Sequence, residues 1–150
     1  MTGPLAGATA SSRTDVDMLE HLDGVRALLA GLGMDVHLVD VAATPTYPYV
    51  LLWCSPGLLV AELLDDRQTL LDDRIGVTTV ADTAEGAFAA AKRVRDALND
   101  QTPVVPGRHV EPLALRDARP VAPDRDVTLE ATKTHPCFAV DMYRLASSPA

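Results

Sequence analysis

"IGVTTVADTAEGAFAAAKRVRDALN", residues 75–99, changes its period halfway along. The first seven residues are rich in β-branched side chains and read as a strand. From there Ala87, Ala91, Val94 and Leu98 recur at the spacing of a helix, with Phe88 beside the stripe. Asp82 and Glu85 form a D-x-x-E pair, in which each side chain can satisfy a free backbone N–H at the helix start. Lys92 and Asp96 stand four apart on the expected wet face. A strand that hands over directly to an alanine-rich helix predicts a helix lying close on a sheet, and hence an α/β chain.

Working outward toward the N-terminus, "LLDDR" occurs twice, at 63–67 and 70–74. The second copy runs straight into the strand of the opening stretch, so a helical heptad is disfavoured. Two extended arms of a hairpin are expected, with Asp65, Asp66, Arg67 and Gln68 near its tip. "YPYVLLWCSP", residues 47–56, is walled by prolines and apolar on both faces, the pattern of a strand covered on two sides. Alternation sends Trp53 and Cys54 to opposite faces. "VHLVD", residues 36–40, reads as a short strand. Before it, Met18, Leu22, Val25, Leu29 and Leu32 make one helical stripe over residues 15–32. Thr14 or Asp15 can cap that helix, and Gly33 can supply the left-handed residue that ends it. Residues 1–13 read as a flexible arm, 14–147 as a single domain and 148–150 as a tail.

Toward the C-terminus, five prolines between residues 102 and 124 restrict that region to short extended pieces and turns. "DVTLEAT", residues 126–132, alternates as a strand, and so does "CFAVDMYRLAS", residues 137–147. The latter places Phe138, Val140 and Met142 on one face, with Asp141, Tyr143 and Leu145 on the other. A polar face of that kind suits solvent or a partner, which makes Tyr143 and Arg144 candidate interface anchors. The fold class expected is α/β (α+β): a mostly antiparallel sheet covered by two helices, with a protruding hairpin.

The 150-residue length suits one core without a disulfide or structural metal. Its net charge of −8 opposes adhesion to nucleic-acid backbone. No apolar run approaches the ~20 residues of a membrane helix. The first residues lack the basic region of a secretory signal, and two distant cysteines make no disulfide framework. Synthesis in a reducing, intracellular setting is expected.

Signatures of catalysis are absent: no G-x-S-x-G, P-loop, G-x-G-x-x-G or H-E-x-x-H occurs. Cys54 with His37 or His135 is the sharpest nucleophile candidate, weighed against a thiol that merely fills the core. His135 and Cys137, with Cys54 and His37 or His109, offer nitrogen and sulfur donors, but H-x-C is no recognised zinc spacing. Asp65/Asp66, Asp72/Asp73 and Asp124/Asp126 could hold Mg²⁺ or Ca²⁺. The neighbouring Arg67, Arg74 and Arg125 favour ion pairing instead. No catalytic, cofactor or metal residue is assigned.

The ordered set "VRALLAGLG", "YPYVLL", "IGVTTVADTAEGAFAAAKRVRDALN", "TPVVPGRHVEPL", "VAPDRDV" and "FAVDMYRLAS" resembles the tail terminator (minor tail) proteins of long-tailed actinobacterial bacteriophages. The repeated LLDDR segment departs from that pattern. The resemblance implies a compact α/β subunit of a homohexameric ring, with no enzyme activity and no cofactor. Such a ring sits on the head-proximal end of the tail tube, contacts the tube protein and the head–tail connector, and lets DNA pass without binding it. A stopper or adaptor of the connector is the nearest alternative. A small cysteine or metal hydrolase and a small-molecule-binding or toxin-neutralising module are alternatives from other classes. Within the terminator reading, Asp65, Asp66, Arg67, Asp72, Asp73, Arg74, Asp124, Asp126, Tyr143 and Arg144 are the residues expected at subunit or tube contacts.

Overall fold

A computed structural model describes residues 16–62 and 65–150. The expected arm and the first two residues of the first LLDDR copy lie outside the described residues. Elements follow in the order α1 (Met18–Leu29), a 3-10 turn (Ala30–Leu32), β1 (Asp35–Leu38), β2 (Tyr49–Cys54), β3 (Leu59–Glu62), β4 (Asp65–Ala81), α2 (Ala84–Leu98), β5 (Arg108–Val110), β6 (Ala114–Ala118), β7 (Ala122–Pro123) and β8 (Cys137–Pro149). The strands form one sheet in the order β1-β2-β4-β8-β5. β3 extends it beside β4, and β6 and β7 continue it beside β8. Among the described residues β1 and β2 run parallel and the other pairings are antiparallel. The expected α+β class with two helices and a mostly antiparallel sheet is the fold observed among the described residues.

α1 starts at Asp17 rather than at Thr14 or Asp15, because the Asp17 carboxylate accepts from Leu19 N at 2.9 Å and Glu20 N at 3.3 Å. It buries Met18, Leu22, Val25 and Leu29 of the expected stripe, while Leu32 falls in the 3-10 turn and is half-buried. Gly33 takes the left-handed conformation, φ 74°, that closes the segment. α2 is capped one residue later than expected: Thr83 Oγ1 accepts from Gly86 N at 3.0 Å, in place of the Asp82–Glu85 pair. Ala87, Ala90, Val94 and Leu98 are buried, Ala91 is half-buried, and Phe88, expected beside the stripe, is 64% exposed. Lys92 and Asp96 pair at 3.1 Å as expected.

The hairpin exists, but Glu62 pairs with Asp65, so the residues expected at its tip, Asp65, Asp66, Arg67 and Gln68, lie in its second arm. Its second arm and the strand of residues 75–81 are one continuous element, β4, of 17 residues. β4 is the spine of the sheet, pairing with β2, β3 and β8. The two helices pack on one another and α2 crosses β4 and β8. Beneath them Val50, Leu52, Ile75, Val77, Tyr143 and Leu145 make the core with Val25, Leu29, Val94 and Leu98.

Three expectations fail here for identifiable reasons. β2 is covered on one face: Val50 and Leu52 are buried, whereas Trp53 on the other face is 36% exposed. Residues 126–132 form no strand. The Asp124 side chain accepts from Asp126 N, Leu129 and Thr134 close a loop at 2.7 Å, and Lys133 adopts a positive φ of 59°. The residues set aside as a tail are continuous with β8, since Pro149 pairs with Arg108 and Ala150 N donates to Gly107 O at 3.0 Å.

A buried polar chain fixes α1 to the end of β8. Arg108 Nε donates to Ser147 Oγ at 3.1 Å, and Ser147 Oγ lies 2.9 Å from His21 Nε2. His21 Nδ1 lies 2.9 Å from the Asp17 carbonyl, which can only accept. The proton of neutral His21 therefore sits on Nδ1, and Ser147 donates to Nε2. Burial holds the His21 pKa below its ordinary 6.5, against the raising effect of the Asp17 carbonyl. A depressed folded-state pKa means the unfolded chain binds the proton first. Stability is expected to be complete above pH 6.5 and to decline as pH falls from there through the lowered folded-state value. Urea midpoints measured across that window should show the decline, and a His21→Gln variant should show less of it.

Candidate functional site

β-strand alternation gives the sheet two unlike faces. Both helices lie on one, over Asp141, Tyr143, Leu145 and their partners in β4 and β2. The other face carries Tyr49, Leu51 and Trp53 from β2, Gly76, Thr78 and Val80 from β4, and Phe138, Val140 and Met142 from β8. Among the described residues no helix covers it. Most of these side chains are half-buried; Val80 is buried, and Tyr47 packs beside Tyr49.

Trp53 dominates this open face. It stands opposite Gly76 in the register, and its indole lies across that glycine while Nε1 donates to Thr78 Oγ1 at 3.0 Å. A Cβ at position 76 would stand 2.2 Å from Trp53 Cε2, so the ring needs the missing side chain. Gly76→Ala is expected to push the indole off the sheet, at a cost of about 1–2 kcal/mol. Trp53 is the chain's single tryptophan, so its emission should shift to the red. Emission identical to that of the unsubstituted chain would show that the ring does not rest there.

Where β4 pairs with Arg144 a shallow cleft of about 400 Å³ is lined by Leu58, Asp72, Asp73, Arg74, Arg116 and Arg144; Asp72, Arg74 and Arg144 alternate with the open face and Asp73 with the inner one. Four of the residues named from the sequence thus come together. Arg144 donates to Asp72 at 3.0 Å and to Glu111 at 3.3 Å. Asp73 accepts from Ser55 Oγ. Arg74 and Arg116 have no carboxylate partner among the described residues, leaving two cations free beside the cleft. Sequence reading missed Arg116, which reaches the cleft through a bulge between Leu115 and Asp117 in β6.

The other named residues lie elsewhere. Asp65, Asp66 and Arg67 begin β4 at the hairpin end, and their side chains are outside the described set. Asp124 and Asp126 belong to the loop before β8, next to the start of that strand, whereas Arg144 lies past its middle. Tyr143 is not at a surface: it is fully buried under the helices, and burial pushes its phenol far above the usual range. It cannot touch a partner in this fold, because its face of β8 is the inner one.

Cys54 is half-buried against the core, where burial and then Asp73 raise its thiol pKa. That environment disfavours the thiolate a nucleophile needs. His135 Nδ1 lies 2.6 Å from the Val127 carbonyl, and His37 stacks edge-on against Tyr49 at 5.5 Å. No three His, Cys, Asp or Glu side chains among the described residues converge as a metal site. No described helix is long and apolar enough to cross a membrane.

No family model matches the chain, and no curated protein does. Among solved structures, the chain is similar to one from a particle described as the virion of native gene transfer agent (GTA) particle. The two share 20% identity and a TM-score of 0.54, over 86% of this chain and 91% of that one. The likeness establishes a common fold across nearly the full length of both.

Proposed function

We propose that this chain is a structural protein of a phage or phage-like virion. In this reading six copies form a ring on the head-proximal end of the tail tube, stop its growth and meet the head connector with the opposite face. The observation that carries the reading is the fold shared, over most of both lengths, with a chain of a virion particle. The ordered sequence resemblance to tail terminators points the same way. So does an open sheet face with a charged cleft beside it, the kind of surface an assembling subunit requires. A charge of −8 suits a ring whose lumen DNA traverses without sticking. The cleft residues Asp72, Asp73, Arg74 and Arg144 are assigned to subunit or tube contacts, and the chain acts by contact without catalysis or cofactor.

Tube capping tests this directly. Purified chain added to polymerising tail-tube subunits should halt elongation, with added density at one end of each tube in electron micrographs. Tubes that grow at an unchanged rate with bare ends would contradict the terminator role. If the chain then bound isolated head connectors, it would belong with the adaptors.

A further inference from the structure

Two exposed aromatics lie on different sides of the subunit: Phe88 is largely in solvent, and Trp53, although it rests on Gly76 and Thr78, keeps 36% of its surface exposed. Phe88 projects from the outer side of α2, 64% exposed, opposite the buried Ala87, Ala90, Val94 and Leu98. Trp53 lies on the open face of the sheet beyond the helices, with Met142 across Gly76 in the same row. Each aromatic is flanked by charge without an ion-pair partner, of opposite sign on the two sides, beside the Lys92–Asp96 pair on the helix and the Arg144–Asp72 pair on the sheet. Asp82 and Glu85 precede Phe88 and have no cation partner among the described residues; Arg74 and Arg116 near Trp53 have no carboxylate partner among them.

We propose that the outer face of α2, led by Phe88 and Glu85, docks on the open sheet face of the next copy of this chain, with Phe88 against Trp53 and Met142 and Glu85 toward Arg74. The spacings agree. Glu85 and Phe88 are one helical turn apart, about 5–6 Å between Cβ atoms. Arg74 and Gly76, which define the two receiving rows of β4, are two strand residues apart, about 7 Å. The occupant is a second copy because a chain of net charge −8 presents the carboxylates that two free arginines attract. It also presents, on its far side, the aromatic that the open face can cover. Because the two patches differ, the contact is heterologous, and repetition either closes a ring or extends a filament. The inference rests on the ring-forming reading and gives it a specific junction.

The test uses the full chain with Phe88→Arg or Met142→Arg, followed by sedimentation velocity and circular dichroism. Each variant alone should be folded and monomeric under conditions where the unsubstituted chain assembles. An equimolar mixture should form a dimer and nothing larger, because one junction, the Met142→Arg copy's helix on the Phe88→Arg copy's sheet, survives. Should Met142→Arg fail to fold, Arg74→Glu replaces it, and adding Glu85→Arg to that same chain should restore assembly. Variants that assemble like the unsubstituted chain overturn the junction while leaving the ring reading intact. A mixture that stays monomeric overturns the helix-on-sheet pairing. An unsubstituted chain that remains monomeric and fails to cap tubes removes the ring reading, and the junction with it.

Discussion

Truncating Arg95 to Ala is expected to cost about 2–3 kcal/mol of stability. Arg95, on α2, donates to both oxygens of Asp141 at 2.8 and 2.7 Å, and Asp141 is 5% exposed on the inner face of β8. The bond to Asp141 raises the guanidinium pKa further above its ordinary value. Removing the cation leaves a buried carboxylate with no counter-charge, a change that typically costs about 3–5 kcal/mol when the site is dry. The Arg95 side chain is 43% exposed, so water reaches its end and the lower figure applies. Arg95→Met combined with Asp141→Leu should fall within about 1 kcal/mol of the unsubstituted chain, since an apolar pair needs no compensation. Urea unfolding distinguishes these cases. A single-variant loss below about 0.5 kcal/mol would mean that solvent already satisfies Asp141. If α2 docks through Phe88 as proposed, loosening this clamp should weaken assembly alongside stability.

Tyr143 should behave as two residues in one. Tyr143→Ala is expected to cost about 3–5 kcal/mol, the usual range for removing a buried aromatic ring. Tyr143→Phe should be neutral or slightly stabilising, by up to about 1 kcal/mol, because the hydroxyl is buried with no hydrogen-bond partner. Neither the folded mass of the assembly nor tube capping should change with Phe at this position. Were Tyr143 an anchor between subunits, the pattern would invert: Phe would disturb assembly and Ala would leave the monomer's stability nearly intact. A Tyr143→Phe loss above about 1 kcal/mol would place an ordered water on the hydroxyl.

The pair Asp141 and Tyr143 also marks where sequence reading stopped. Two-residue alternation separated the faces of β8 correctly, yet it carries no sign telling which face is inward. Phe138, Val140 and Met142 look like the inner set, and Asp141 looks like a surface residue. The fact that reverses this is Arg95, 46 residues away in the chain, whose approach only the packing of α2 reveals. His21 escaped notice similarly, because its partner Ser147 is 126 residues distant. Local signals were more readable: the α1 stripe, the left-handed Gly33, the Lys92–Asp96 pair and the short strands between prolines all follow from neighbours in sequence. Residues 126–132 show the limit of that method. Alternating apolar side chains produce a strand only where another strand offers hydrogen bonds, and here the Asp124 turn and the Leu129–Thr134 bonds took that backbone instead. For the site, Asp72, Asp73, Arg74 and Arg144 were legible as charged residues in repeated or alternating contexts. Their convergence with Arg116 depends on the β4–β8 register and a bulge that composition does not announce.

Light scattering on the purified full chain, combined with imaging of the eluted particles, bears most directly on the ring. A closed ring of six subunits should elute at six times the 16.0 kDa chain mass and show an open centre. A species that stays at the mass of one chain at every concentration, and adds nothing to the ends of tail tubes, would contradict a ring-forming subunit.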